Sequence, residues 1–361
     1  MIPYENLAKV NEPFHREFEK RFSRFLQKGW YVLGAEVQRF EQAFAAYHGM
    51  QHCIGVANGL DALVLALTAL NLPERSEVIV PSNTYIASIL AILRSGHIPV
   101  LVEPDIRTCN IDPALIEAAV TRNTRAIMVV HLYGKCCDMD PIEAIAEKHG
   151  LAILEDCAQS HGARYKDKVA GSFGIMSAFS FYPSKNLGAL GDAGAVLTNS
   201  DALKTELQLL RNYGSQKKYY NERVGFNSRL DELQAIFLQV KLAGLGQINQ
   251  HKRKLAGLYL SQLKSDFIVP VTEEGYEDVY HIFNIRHPER DRLRSYLLEK
   301  GIGAEIHYPV PPHRQNALKS LLQGAKFPIS EEIHATTLSL PVSCCHSEAD
   351  IERVIAVLNA F

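Results

Sequence analysis

Between residues 53 and 198, short apolar runs alternate with amphipathic stretches, and this alternation restricts the fold more than any other feature of the chain. The runs are residues 53–57, 78–81, 100–102, 126–131, 151–154 and 195–198, all rich in Val, Ile, Leu and Ala. Helical patterns fill the gaps at residues 60–70, at Ala87 to Leu93, and at residues 112–120 and 140–149. Unbroken apolar runs suit strands buried on both faces. Strands separated by helices imply βαβ units with right-handed crossovers, and so a mostly parallel sheet with helices on either side. Ligands of such sheets collect at the carboxyl ends of the strands. Asn58, Tyr85, His131, Asp156 and Lys185 all fall at or just beyond those ends.

The flanking regions extend this α/β plan. Residues 12–27 read as a helix with Phe14, Phe18, Phe22 and Phe25 recurring at three and four. A second helix places Val37, Phe40, Phe44 and Tyr47 on one side. Phenylalanine stripes at this spacing read as core or subunit contact rather than as a cofactor site. A helix covers residues 201–212, and the polar, aromatic residues 213–228 form an exposed loop that reaches another subunit. A long helix from Leu230, interrupted at Gly244 and Gly246, runs to about Leu263 and crosses between domains. Beyond it lie a strand at 280–286, a helix at 291–300 and a last helix from Ser347. The reading is a large domain over residues 1–240, with an N-terminal helical segment, and a smaller α/β domain over 241–361.

Charge and cysteine usage narrow the setting. A net charge of -2 gives no reason to invoke nucleic acid or an anionic membrane. No apolar run approaches the roughly 20 residues that span a bilayer. The opening Met1-Ile2-Pro3-Tyr4-Glu5-Asn6 lacks the basic and apolar regions of a signal peptide. Seven cysteines include two adjacent pairs, Cys136-Cys137 and Cys344-Cys345, and no C-x-x-C. That pattern speaks against disulfides and metal ligation, and for reduced thiols in a cytoplasmic protein.

Two strand-end motifs carry the chemistry. Phe179-Ser180-Phe181-Tyr182-Pro183-Ser184-Lys185-Asn186 ends an apolar run in one lysine, and Glu155-Asp156-Cys157-Ala158-Gln159 ends another in an acid. A lone lysine is usually a solvated charge and a lone aspartate can cap a helix. Together at neighbouring strand ends they suit pyridoxal phosphate, which needs an amine to hold it covalently and a carboxylate beside its ring nitrogen. Asn58-Gly59 joins a strand to a helix, a layout in which backbone N–H groups and the helix dipole face a phosphate, although Asn-Gly also makes plain turns. The Gly188, Gly191 and Gly194 loop suits either a close pass by a ligand or a flexible connection. His131 and His161 are weighed as ligand contacts against satisfied structural histidines.

With these residues placed, the chain resembles the DegT/DnrJ/StrS family of nucleotide-sugar aminotransferases, which share the fold type I architecture of aspartate aminotransferase. The resemblance rests on Gly59-Leu60-Asp61-Ala62-Leu63, Val80-Pro81-Ser82-Asn83-Thr84-Tyr85, His131-Leu132-Tyr133-Gly134, the acid and lysine motifs, Gly225-Phe226-Asn227-Ser228-Arg229-Leu230-Asp231-Glu232, and His307-Tyr308-Pro309. It implies that Lys185 carries pyridoxal 5′-phosphate and shuttles the proton, and that Asp156 pairs with the ring nitrogen. Gln159 would meet the phenolic oxygen and Tyr85 would stack on the ring. Gly59, the backbone N–H groups of Leu60 and Asp61, and Ser180 would hold the phosphate, with Asn227 reaching it from the other subunit of a homodimer. Many members have a hydroxyl residue where this chain has Leu60, which leaves phosphate binding to backbone groups, Ser180 and Asn227. Tyr182, Tyr220 of the second copy, His307 and Tyr308 are the expected substrate walls.

The implied reaction is transamination of a nucleotide-linked keto sugar with glutamate as amino donor, feeding a surface glycan or a glycosylated metabolite. The wording around Leu60 and Asn227 resembles the branch that aminates C3 of dTDP-linked 6-deoxyhexoses, with a C4 enzyme on a UDP or dTDP sugar as the alternative. Dehydration is disfavoured because a histidine would replace Lys185. A dinucleotide oxidoreductase lacks its G-x-G-x-x-G. A non-catalytic regulator would have lost the lysine or the acid.

Overall fold

A computed structural model describes residues 1–361. Seven strands form the central sheet: β1 (His52–Val56), β2 (Glu77–Pro81), β3 (Ile98–Val102), β4 (Thr124–Val130), β5 (Ala152–Asp156), β6 (Met176–Ser180) and β7 (Gly194–Thr198). Their spatial order is β1-β7-β6-β5-β4-β2-β3. Strand β7 runs antiparallel to both its neighbours, and every other pair is parallel. Both faces are buried, as the unbroken apolar runs require. Ile79, Ile127 and Val129 face one core with Phe40, Phe44 and Leu238. Their neighbours Val78, Val80, Ala126 and Met128 face the other, with Leu63, Leu67 and Ile89.

The register brings several chain segments level at one edge. Val130 pairs with Asp156, and Asp156 with Ala178. Ser180 pairs with Gly194, which pairs with Val56. The segments that leave β1, β4, β5 and β6 therefore emerge side by side.

A separate core lies in the C-terminal part. The antiparallel pair Phe283–Arg286 and Thr337–Leu340 packs with helices Leu245–Gln262, Arg290–Glu299 and Glu348–Asn359. Ile2 joins this core and bridges to Ile302, so the start of the chain sits with its end. The expected boundary at 240/241 falls inside helix Glu232–Leu242, and the break comes at Ala243 and Gly244. That helix is tied to the N-terminal region. The Glu232 carboxylate accepts the backbone N–H groups of Gly34, Glu36 and Val37, and so caps helix Ala35–His48.

Three local readings change. Residues 213–228 contain a small exposed hairpin, Ser215–Lys217 with Tyr220–Asn221, rather than loop alone. The strand read from residue 280 begins only at Phe283. The glycines after Lys185 serve close packing of the chain on itself. A Cβ at Gly188 would lie 2.2 Å from the Pro183 carbonyl oxygen, and one at Gly194 would lie 2.4 Å from that of Asn58. No helix is long and apolar enough to cross a membrane.

Candidate active site

A cavity of about 550 Å³ opens over the carboxyl ends of the strands. Asp156, the last residue of β5, lines it. Its Oδ2 accepts the Ser88 hydroxyl at 2.8 Å and its Oδ1 accepts the Ala158 N–H at 3.1 Å. Burial pushes this carboxyl above the usual range, against those two hydrogen bonds and the charge of Lys185. A carboxylate in that state gains from a cationic N–H donor placed beside it.

Lys185 lies beyond the end of β6, in a turn closed by its N–H on the Tyr182 carbonyl at 2.8 Å, and it also lines the cavity. Burial lowers its pKa to about 8, opposed by Asp156 and assisted by the positive charge of Lys252. An amine in this range exchanges protons readily near neutral pH.

The N-terminus of helix Gly59–Ala69 forms the next wall. Asn58 caps it, its Oδ1 accepting the Asp61 N–H at 2.8 Å. That corrects one expectation: the Asp61 amide is committed to the cap, and Asp61 does not line the cavity. The amides of Gly59 and Leu60, in the first helical turn, have no intrahelical acceptor and remain for an anion. A Cβ on Gly59 would sit 2.5 Å from Ser180 Cβ, so glycine lets this helix end come down beside the Ser180 hydroxyl.

Gln159, Tyr85 and Tyr308 meet across the mouth. Gln159 Oε1 accepts the Tyr133 N–H at 2.7 Å, and its Nε2 donates to Tyr308 Oη at 3.2 Å. The carboxamide is held with one further N–H to give. The Tyr85 and Tyr308 rings lie 4.9 Å apart at 31°. Tyr182 and His307 complete the predicted set within the cavity. His307 Nδ1 is bonded to Ser339 Oγ at 2.9 Å, and burial lowers its pKa to about 4, so it is neutral at ordinary pH.

Asn227 and Tyr220 lie outside this chain's cavity, exposed on and near the hairpin. His131 and His161 do not line it either. His131 Nδ1 accepts the Cys137 N–H at 3.0 Å, which leaves its proton on Nε2 for Glu155 at 3.0 Å. The Glu155 carboxylate also accepts the N–H groups of Gly171, Phe173 and Gly174, so both oxygens of the buried His131, Glu155 and Cys157 group are already engaged. The group is a brace under β5. His161 stacks on Phe179 and Phe181, and its Nδ1 accepts the Leu187 N–H at 3.3 Å.

Sequence reasoning missed Ser88, Lys252, Tyr4 and Glu5. Ser88 stands one helical turn after Tyr85, a spacing that puts both on one helix face. Tyr4 and Glu5 enter the cavity because the chain's start docks on the C-terminal core.

A sequence model of the DegT/DnrJ/EryC1/StrS aminotransferase family matches residues 14–359. The chain is 52% identical over 362 residues to the dTDP-3-amino-3,6-dideoxy-alpha-D-galactopyranose transaminase of Aneurinibacillus thermoaerophilus, covering 100% of this chain and 99% of the relative. It is 45% identical over 345 residues to the dTDP-3-amino-3,4,6-trideoxy-alpha-D-glucose transaminase of Streptomyces venezuelae, covering 94% and 91%. Its structure is similar to that of S. venezuelae DesV in complex with a ketimine intermediate, with TM-score 0.97, 44% identity, and coverage of 99% of this chain and 98% of that one.

Proposed function

The chain belongs to the DegT/DnrJ/EryC1/StrS aminotransferase family, and we propose that it moves the amino group of glutamate onto C3 of a dTDP-linked 3-keto-6-deoxyhexose. Glutamate leaves as 2-oxoglutarate and the ketone oxygen is replaced by an amine. The observation that carries this reading is the presence of Lys185 and Asp156 in the lining of one cavity, an amine of lowered pKa and a carboxylate of raised pKa near enough to act on each other's charge.

The residues present fit pyridoxal 5′-phosphate, the cofactor of this family. Lys185 Nζ would hold it, Asp156 would take its ring N–H, and the remaining Gln159 N–H would meet its phenolic oxygen. Tyr85 would cover the ring, and the Gly59 and Leu60 amides with Ser180 would receive the phosphate. When bound, the cofactor supplies a cationic ring that draws electrons from the bond being broken. Lys185 Nζ then takes the proton from the donor's α-carbon and returns a proton to the sugar carbon. Burial lowers its pKa to about 8, so this side chain gives up its proton more readily than a solvated lysine. Asp156 would keep the ring nitrogen protonated, and the Ser88 hydroxyl and Ala158 N–H fix the orientation of its carboxylate.

We assign amination to C3 because both named relatives carry the amine there, and because Leu60 stands where a hydroxyl residue is expected in C4 enzymes. We assign a homodimer because Tyr220 and Asn227 are exposed and lie outside their own cavity and because Trp30, Tyr219, Val224 and Phe226 are exposed. The reduced cysteines support a cytoplasmic enzyme, and a deoxyamino sugar suits a surface glycan or glycosylated metabolite. The test offers both dTDP-3-keto epimers and a UDP-4-keto sugar with glutamate and compares kcat/KM. Preference for the 3-keto substrates is expected. Preference for the 4-keto sugar would overturn C3 and leave transamination intact.

A further inference from the structure

We propose that Lys252 is the residue of this chain that receives the α-carboxylate of the amino-acid donor, an inference that rests on the aminotransferase reading. The cavity is lined by five charged residues: Glu5, Asp156, Lys185, Asp192 and Lys252. This chain supplies two cations, Lys185 and Lys252, and Lys185 is the reacting amine. The neighbouring imidazoles do not add charge. Burial and the nearby lysines hold His281 well below its ordinary pKa, and burial takes His307 to about 4. An amino acid must nevertheless bring a carboxylate into this space. A carboxylate removed from water without a cation is strongly disfavoured.

Covalent geometry says where that carboxylate goes. It is bonded directly to the carbon that gives up its amine and proton, so it must lie next to Lys185. Lys252 is placed there. Its Nζ donates to Asn186 Oδ1 at 2.7 Å, and Asn186 is the residue after Lys185. Asn186 Nδ2 donates to Asn249 Oδ1 and to the Val279 carbonyl, both at 2.9 Å, and Asn249 donates to the His161 carbonyl at 2.8 Å. The chain of bonds fixes the ammonium and uses one of its three donors.

Lys252 is 6% exposed, and burial lowers its pKa to about 8. Glu5 is the strongest opposing charge, yet Glu5 Oε1 is occupied by the Asn6 N–H and the Ser343 hydroxyl. The result is a buried cation facing the cavity with no carboxylate bonded to it. Positioning Asn186 is not a sufficient reason for that charge, since a neutral donor would hold an amide oxygen as well. The diphosphate of a nucleotide sugar is the other anion to enter. It hangs from C1, two carbons from the reacting C3, and so belongs further from Lys185 than the donor's carboxylate does.

The experiment compares the wild-type holoenzyme with Lys252→Met and Lys252→Arg. The glutamate half-reaction and the keto-sugar half-reaction are followed separately by the cofactor's absorbance. Calorimetry measures binding of glutarate, a dicarboxylate with no amine to react, and of dTDP. Loss of a charge-assisted contact should raise the apparent Kd for glutamate roughly 10- to 150-fold in Lys252→Met. Glutarate binding should weaken far more than dTDP binding, and Lys252→Arg should recover part of the loss. Equal slowing of both half-reactions would overturn the proposal in favour of a positioning role through Asn186. Weakened dTDP binding with unaltered glutarate binding would overturn it in favour of the diphosphate. A wild-type spectrum unmoved by any amino acid would instead overturn the aminotransferase reading on which it stands.

Discussion

Glu155→Gln removes a charge and almost no volume, and the structure says what it should cost. Glu155 is fully buried beside Asp156 at the end of β5. Its Oε1 accepts N–H groups from Phe173 at 2.8 Å and Gly174 at 2.7 Å. Its Oε2 accepts the N–H of Gly171 at 2.6 Å and the ring nitrogen of His131 at 3.0 Å. In glutamine one of these oxygens becomes an NH₂ group, which donates and cannot accept. Whichever way the amide is turned, two donors then face a donor. His131 cannot escape by moving its proton, because its Nδ1 already accepts the Cys137 N–H. Each stranded buried donor costs about 1–3 kcal/mol, so the substitution should remove about 2–6 kcal/mol of stability. Equilibrium denaturation in urea measures it as a fall in the midpoint at unchanged slope. A loss below about 1 kcal/mol would refute the view of Glu155 as a carboxylate held by four donors.

Lys185→Ala should abolish both turnover and the near-visible absorbance of the preparation, and retained turnover would count against the assigned role. Lys241 is fully buried, with Nζ on Asn11 Oδ1 at 3.2 Å and a pKa lowered to about 8, chiefly by burial. Below pH 8 it is charged whether folded or not. Between about 8 and 10.5 only the unfolded chain keeps the proton, so stability rises with pH there, and the wild type should gain about 3 kcal/mol on Lys241→Met across that range. A constant difference between the two proteins across that pH range would refute it. Sedimentation should find a dimer at assay concentration, and a fully active monomer would remove Tyr220 and Asn227 from the site.

The sheet and its catalytic edge were legible because both follow from the same burial. A strand covered on both faces is mostly apolar, so the polar residues that close each run mark where the strand leaves its cover; Glu155, inside β5 and fully buried, is accommodated there because its carboxylate is met by hydrogen-bond donors. Asn58 and Asp156 were placed at the carboxyl edge in that way, Ser180 came from the family resemblance, and the register Val130-Asp156-Ala178 explains why the strand ends lie level. The two histidines near these ends show the limit of the rule. His131 follows β4 directly, yet its ring turns into the core to Glu155 and Cys137, where one ring nitrogen meets the carboxylate and the other the Cys137 N–H. Position after a strand gives the edge of the sheet and not the direction of the side chain.

Lys252 was hidden by its type and disclosed by its spacing. It stands in His251-Lys252-Arg253-Lys254, a basic run that reads as a solvated helix face. Lys254 conforms, pairing at the surface with Glu348. The buried residues of the same helix include Leu245, Asn249, Lys252, Ala256 and Tyr259, at successive intervals of four, three, four and three. That is the core stripe of an amphipathic helix, and two of its five positions are polar. A polar residue on such a stripe must either be satisfied inside the protein or face a ligand. Asn249 is satisfied by Asn186 and the His161 carbonyl, while Lys252 has given one donor to Asn186 and borders the cavity. Reading the stripe by position before residue type marks Lys252 as buried from the sequence alone, and the packing of the helix against the lysine turn then places it beside Lys185.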